Sequence, residues 1–206
     1  MCIRDRGYVH RMEDQADVVK TVLATLRVRR VTLIGHSMGG YVALAFSKMH
    51  PTMVKGLLLM NSTALPDTLD KKTNRDRAME VVKQNHKTFV RLAIPQLFAE
   101  CNRKKLATEI EQVTKEALMQ SPQGIIAALE GMKIRKGSTG VLRSSKFPIG
   151  IVIGLLDRLL SFESLMDQIR NTSVISYELN VGHMSHLENE DALTQSILDF
   201  LKRCYR

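Results

Sequence analysis

The stretch "LIGHSMGG", residues 33–40, decides how this chain is read. Ahead of it, "RRVTLIG" carries apolar Val31, Leu33 and Ile34 without helical spacing, which predicts a short buried strand. Behind it, "GGYVALAFSKMHP" predicts a helix ending near Pro51, with Tyr41, Leu44, Ala45 and Lys48 on successive turns. Ser37 therefore falls on a sharp strand-to-helix turn, with Gly35 and Gly39 two residues to either side. Lifting a hydroxyl above a sheet edge in this way needs a strained serine backbone and a close approach of strand and helix. Glycine is expected at 35 and 39 because a side chain at either would clash. The Met38 amide opens the helix with no partner inside it, so it is expected to point at the oxygen of the group Ser37 attacks. Ser37 is the candidate nucleophile.

A serine nucleophile needs a base, and the base needs a group to orient it. Of the six histidines, His36 adjoins the serine and is expected to point elsewhere from the turn. His50 caps the helix beside Pro51, His86 lies in a helical segment, and His10 precedes the first helix. His183 and His186 remain, in "NVGHMSHLENED". His183 follows a predicted strand directly through Gly182, at the sheet edge where α/β ligand sites form, whereas His186 enters the next helix and should turn away. Asp157 ends another strand in "GLLDRL", and its carboxylate would accept a hydrogen bond from the imidazole. Asp67, just past the second strand, is the competing acid; Asn61 at that strand's end cannot supply the charge.

The rest of the chain fits one pattern. "MEDQADVVKTVLATL", residues 12–26, is an amphipathic helix with acids in its first turn. Near-continuous apolar runs at 54–64 and 147–157, and the stretch 172–183, read as further strands covered on both faces. "SFESLMDQIR" and "EDALTQSILDFLKR" read as the intervening and closing helices. Between the second and third strands, three helical stretches punctuated by Pro95, Pro122 and Gly137 interrupt the alternation. The expected division is a core of residues 1–65 and 146–206 with a helical cap inserted at 66–145.

The order Ser37, Asp157, His183, each leaving a separate strand on one edge, resembles the α/β-hydrolase superfamily, carried by "GHSMGG", "GLLD" and "GHMSHLENED". The resemblance runs from about residue 8 to the end. It implies an α/β fold with a mostly parallel four-stranded sheet flanked by helices, corresponding to the C-terminal half of the family's fold. It also implies a catalytic triad of Ser37, Asp157 and His183, with Met38 as one oxyanion donor. The expected reaction is hydrolysis of a small ester, thioester or lactone through an acyl-enzyme, with no metal and no cofactor. Alternatives are carbon–carbon bond cleavage or elimination on the same triad, or a non-catalytic ligand receptor. The family's upstream strands and its "HG" loop, which supplies a second oxyanion amide, have no counterpart here. A bare edge beside the Ser37 strand is therefore expected, with poor solubility and impaired activity for these residues alone. "MCIRDR", residues 1–6, resembles the translated end of a transposon sequence used in preparing sequencing libraries. Those six residues are expected not to be biological, and the true N-terminus to be missing.

Composition narrows the partners. The 206 residues suit one domain, and no apolar run approaches the roughly 20 residues of a membrane span. Tryptophan is absent and aromatics make up 5%, which argues against a stacking platform for nucleic acid. Cys2, Cys101 and Cys204 show neither metal-ligand spacing nor a disulfide framework, as expected for reduced thiols in the cytoplasm. The net charge of +9 is concentrated: residues 66–146 hold sixteen Lys and Arg against nine Asp and Glu. A solvated helical surface explains that excess most simply; attraction of an anionic substrate is the functional alternative.

Overall fold

The computed structural model describes residues 9–205. Met1 to Arg6, whose origin the sequence questions, lie outside the described residues. The chain runs α1 (Met12–Thr25), β1 (Val31–His36), α2 (Met38–Met49), β2 (Val54–Met60), α3 (Leu69–Gln96), α4 (Ala107–Leu118), α5 (Pro122–Ile134) and α6 (Thr139–Ser144). It continues through β3 (Ile149–Gly154), α7 (Phe162–Ile169), β4 (Ile175–Leu179), α8 (Ser185–Glu188) and α9 (Glu190–Cys204). The four strands form one parallel sheet in the order β1-β2-β3-β4.

The apolar runs explain the layering. In β2, Leu57 and Leu59 point to one face and Leu58 and Met60 to the other, and none of the four is more than 6% exposed. The first pair packs with Leu44 of α2, Ile151 and Ile153 of β3, and Leu165 and Ile169 of α7. The second pair packs with Val152 and with Leu193 and Phe200 of α9. Helix α1 lies outside α2, where Met12 and Ala16 meet Tyr41, Ala45 and Phe46. β1 is an edge strand among the described residues; its Ile34 is 43% exposed.

Several expected boundaries shift for identifiable reasons. The apolar run 54–64 stays buried except at Lys55, but β2 stops at Met60 because Asn61 turns the chain with a φ of 44°. β3 and β4 are likewise shorter than their apolar stretches. Pro95 does not end α3, since in the last turn it forfeits only one backbone bond. The interruption falls instead at Asn85, where the backbone leaves helical values and the side chain caps the following turn through the Thr88 N–H at 3.0 Å. Between β2 and β3 no strand occurs among the described residues, and helices α3 to α6 fill the interval. Their cations, including Lys72, Arg77, Lys87, Arg91, Lys104 and Lys105, face solvent. No helix of the described residues is long and apolar enough to cross a membrane.

Candidate active site

All four strands run the same way, so their carboxyl ends form one rim, and the chemistry-bearing residues leave the sheet there. β1 ends at His36, paired with Met60 of β2, and the Ser37 N–H donates to the Met60 carbonyl at 2.9 Å. Ser37 then turns sharply into α2 with φ 51° and ψ −119°, outside the ordinary range of an L residue. Its carbonyl is held by the Ser62 hydroxyl at 2.8 Å and the Gly40 N–H at 3.0 Å.

The close approach is real at Gly35, where a Cβ would lie 2.6 Å from the Gly39 oxygen. At Gly39 the expectation of a clash is corrected: a Cβ there meets nothing within 4 Å among the described residues. The tight position is Gly40, one residue further round the helix, where a Cβ would come within 2.3 Å of the Ser62 hydroxyl oxygen.

Past β3 and β4 the backbones continue side by side, with Leu155 N–H bonded to the Leu179 carbonyl and Leu156 N–H to that of Val181. That continuation carries Asp157 and His183 to the same rim. His183 Nε2 lies 2.8 Å from Ser37 Oγ, and its Nδ1 lies 2.7 Å from Asp157 Oδ2. The carboxylate accepts only, so Nδ1 carries the proton and Nε2 is left to accept from the serine hydroxyl. His183 is 4% exposed, and the Asp157 side chain 1%. Burial alone would disfavour the Asp157 carboxylate, but bonds from His183, the Leu159 N–H and Asn61 outweigh it and hold its pKa below the usual value. Met38 is the first residue of α2, so its N–H has no intrahelical partner.

The competing acid is engaged elsewhere. Asp67 is buried and ion-paired with Arg75 and with Arg135, whose Nη1 lies 2.7 Å from Oδ1. Burial opposes its charge, yet the two guanidinium groups hold its pKa below the ordinary range. Arg135 also donates to the Leu65 and Met132 carbonyls and covers the Tyr41 ring at 3.9 Å. This network joins α3 and the end of α5 to the loop after β2.

Two neighbours escape the sequence reading. His36 does not point away from the site: its Nε2–H donates to the His183 carbonyl at 2.8 Å. Burial pushes its pKa down to about 4, so the ring is neutral at physiological pH. His186 packs edge-on against His36, with ring centroids 4.8 Å apart. Glu188 ties the His183 loop to the helical segment by accepting from Ala99 N–H at 3.0 Å and Asn102 Nδ2 at 2.8 Å. His183 N–H adds a bond to the Leu97 carbonyl at 2.8 Å. Among the described residues, no group of three or more His, Cys, Asp or Glu could hold a metal ion.

Fold, elbow and rim together define an α/β-hydrolase. The model of the alpha/beta hydrolase fold matches residues 3–120, more than half of the chain, and the chain belongs to that family. Among curated relatives, it is 27% identical over 204 residues to an AB hydrolase superfamily protein of Bacillus subtilis, covering 91% of this chain and 72% of that protein. It is 31% identical over 67 residues to a cis-3-alkyl-4-alkyloxetan-2-one decarboxylase of Shewanella oneidensis, covering 31% of this chain and 21% of that protein. The first curated relatives are thus matched over less than half their length. A thermophilic esterase from Thermogutta terrifontis superposes with a TM-score of 0.85 at 29% identity, covering 96% of this chain and 74% of that one.

Proposed function

We propose that this chain is a serine hydrolase acting on an ester, thioester or lactone of a small molecule. The observation that carries the reading is the unbroken hydrogen-bonded series from Ser37 Oγ through His183 to Asp157. Ser37 Oγ attacks the acyl carbon while His183 Nε2 takes its proton, and the carbonyl oxygen becomes an oxyanion facing the Met38 N–H. Collapse of the tetrahedral intermediate expels the alkoxide or thiolate, to which His183 passes the proton it took from Ser37. A water molecule then gives a proton to His183 and attacks the acyl-enzyme, and collapse returns the proton to Ser37. Asp157 keeps the imidazole in the Nδ1–H tautomer and stabilises the imidazolium. Helices α3 to α6 serve as the cap that shapes the substrate. Their attachment to the His183 loop through Leu97, Ala99 and Asn102 supports that role.

A panel of short-chain p-nitrophenyl esters, thioesters and lactones tests the reading. Turnover should be abolished by Ser37→Ala, and rapid quenching should trap an acyl group on Ser37. Turnover unchanged in Ser37→Ala would overturn it.

A further inference from the structure

Asn61 occupies the end of β2 between the acid and the base, and its placement costs free energy that its surroundings must offset. It is fully buried, its φ is 44°, and its Oδ1 has no hydrogen-bond partner. The donors on Nδ2 are both used: one meets Asp157 Oδ2 at 3.2 Å and the other meets the Gly182 carbonyl at 3.0 Å. The orientation of the amide is dictated by its partners, because both are acceptors and the reversed amide would set oxygen against oxygen. Gly154 keeps the space for it, since a Cβ there would lie 2.8 Å from Asn61 Nδ2 and 2.3 Å from the Gly182 oxygen that accepts from the amide.

Asp157 Oδ2 is the same oxygen that receives His183 Nδ1–H, and Gly182 is the residue immediately before His183. One amide therefore holds both ends of the acid–base pair: the carboxylate oxygen that orients the ring, and the backbone from which the ring hangs. We propose that Asn61 is a positioning residue for the reaction of Ser37, fixing Asp157 and the His183 loop in register. This rests on the hydrolase reading above. It goes further in giving a role to a residue that carries no charge and does not reach Ser37.

Two substitutions separate this role from a purely structural one. Asn61→Gly accepts the positive φ and deletes only the amide. Asn61→Asp keeps shape and φ but replaces the donor with a second carboxylate beside Asp157. In each, labelling of Ser37 by a fluorophosphonate should slow about 10- to 100-fold, the scale of a lost hydrogen bond to a charged group. In Asn61→Asp the acidic limb of the labelling rate should also move upward, since added negative charge favours the imidazolium. A structural defect alone would lower the rate equally at every pH.

The far-downfield proton resonance of the His183–Asp157 bond gives a reading without turnover, and it should shift or broaden in both variants. In the unmodified chain, the Asn61 amide protons should exchange slowly and respond to protonation of Asp157; rapid exchange would overturn the proposal even if neither variant folded. Labelling within threefold of the parent, with the downfield resonance unmoved, would also overturn it. Absence of labelling in the parent would instead count against the hydrolase reading, while the resonance would still decide the place of Asn61.

Discussion

Replacing His36 with glutamine removes a half-buried imidazole while leaving an N–H donor within reach of the His183 carbonyl. In the folded chain His36 binds a proton only near pH 4, against an ordinary value of 6.5, because burial penalises the charged ring. Above pH 6.5 both folded and unfolded states hold it neutral, and it contributes no pH dependence. As the pH falls below 6.5, the unfolded chain takes up a proton that the folded chain refuses, so stability declines until the pH reaches about 4. The gap between those two values corresponds to about 3 kcal/mol in total, and the steepest part to about 1 kcal/mol per pH unit. Urea unfolding from pH 6.5 to pH 4 on parent and His36→Gln measures the difference directly. The parent should lose about 3 kcal/mol more than the variant across that window. His186, whose pKa burial also lowers, is present in both and cancels to first order. Parallel stability curves for the two proteins would refute the burial and neutrality assigned to His36.

Other outcomes follow from the same geometry. Asp157→Asn should cut turnover by about 10⁴-fold with little change in melting temperature, because the imidazole loses its preferred tautomer; esterase kinetics beside a thermal melt check this. Gly35→Ala should prevent folding or remove activity, whereas Gly39→Ala should be tolerated, since a methyl group meets backbone at the first and open space at the second. Asp67→Asn, which leaves the buried Arg135 without its carboxylate, should destabilise the fold by about 3 kcal/mol or more in urea unfolding. Ile34→Lys, on the open edge of β1, should raise solubility as measured by light scattering, with no loss of melting temperature.

The features legible in the sequence are those fixed by local pattern. Ser37, Asp157 and His183 each end an apolar run, and a parallel sheet brings run ends to one rim whatever lies between them. The helices declare themselves through amphipathic spacing and terminal residues. The partners of the site are not local. Asn61 meets Asp157 across 96 positions and Gly182 across 121, and His36 meets the His183 carbonyl across 147. An asparagine that serves two distant acceptors looks the same in sequence as one ending a strand. The signal that could have found it is Gly154, a glycine at the end of β3 where a Cβ would crowd the Asn61 amide. Choosing Gly39 over Gly40 is an error of helical phase: the motif counts residues, while the clash depends on the face turned toward Ser62. The apolar pattern overstates the length of β2 because burial persists at Asn61, Ser62, Thr63 and Ala64 after the ladder has ended.

The most direct measurement is mapping a fluorophosphonate adduct by mass spectrometry on the parent chain and on Ser37→Ala, His183→Ala and Asp157→Asn. A single adduct on Ser37, absent from Ser37→Ala and strongly slowed in the other two, is the predicted result. An adduct elsewhere, or labelling of Ser37 that does not depend on His183, would contradict the hydroxyl–imidazole–carboxylate relay.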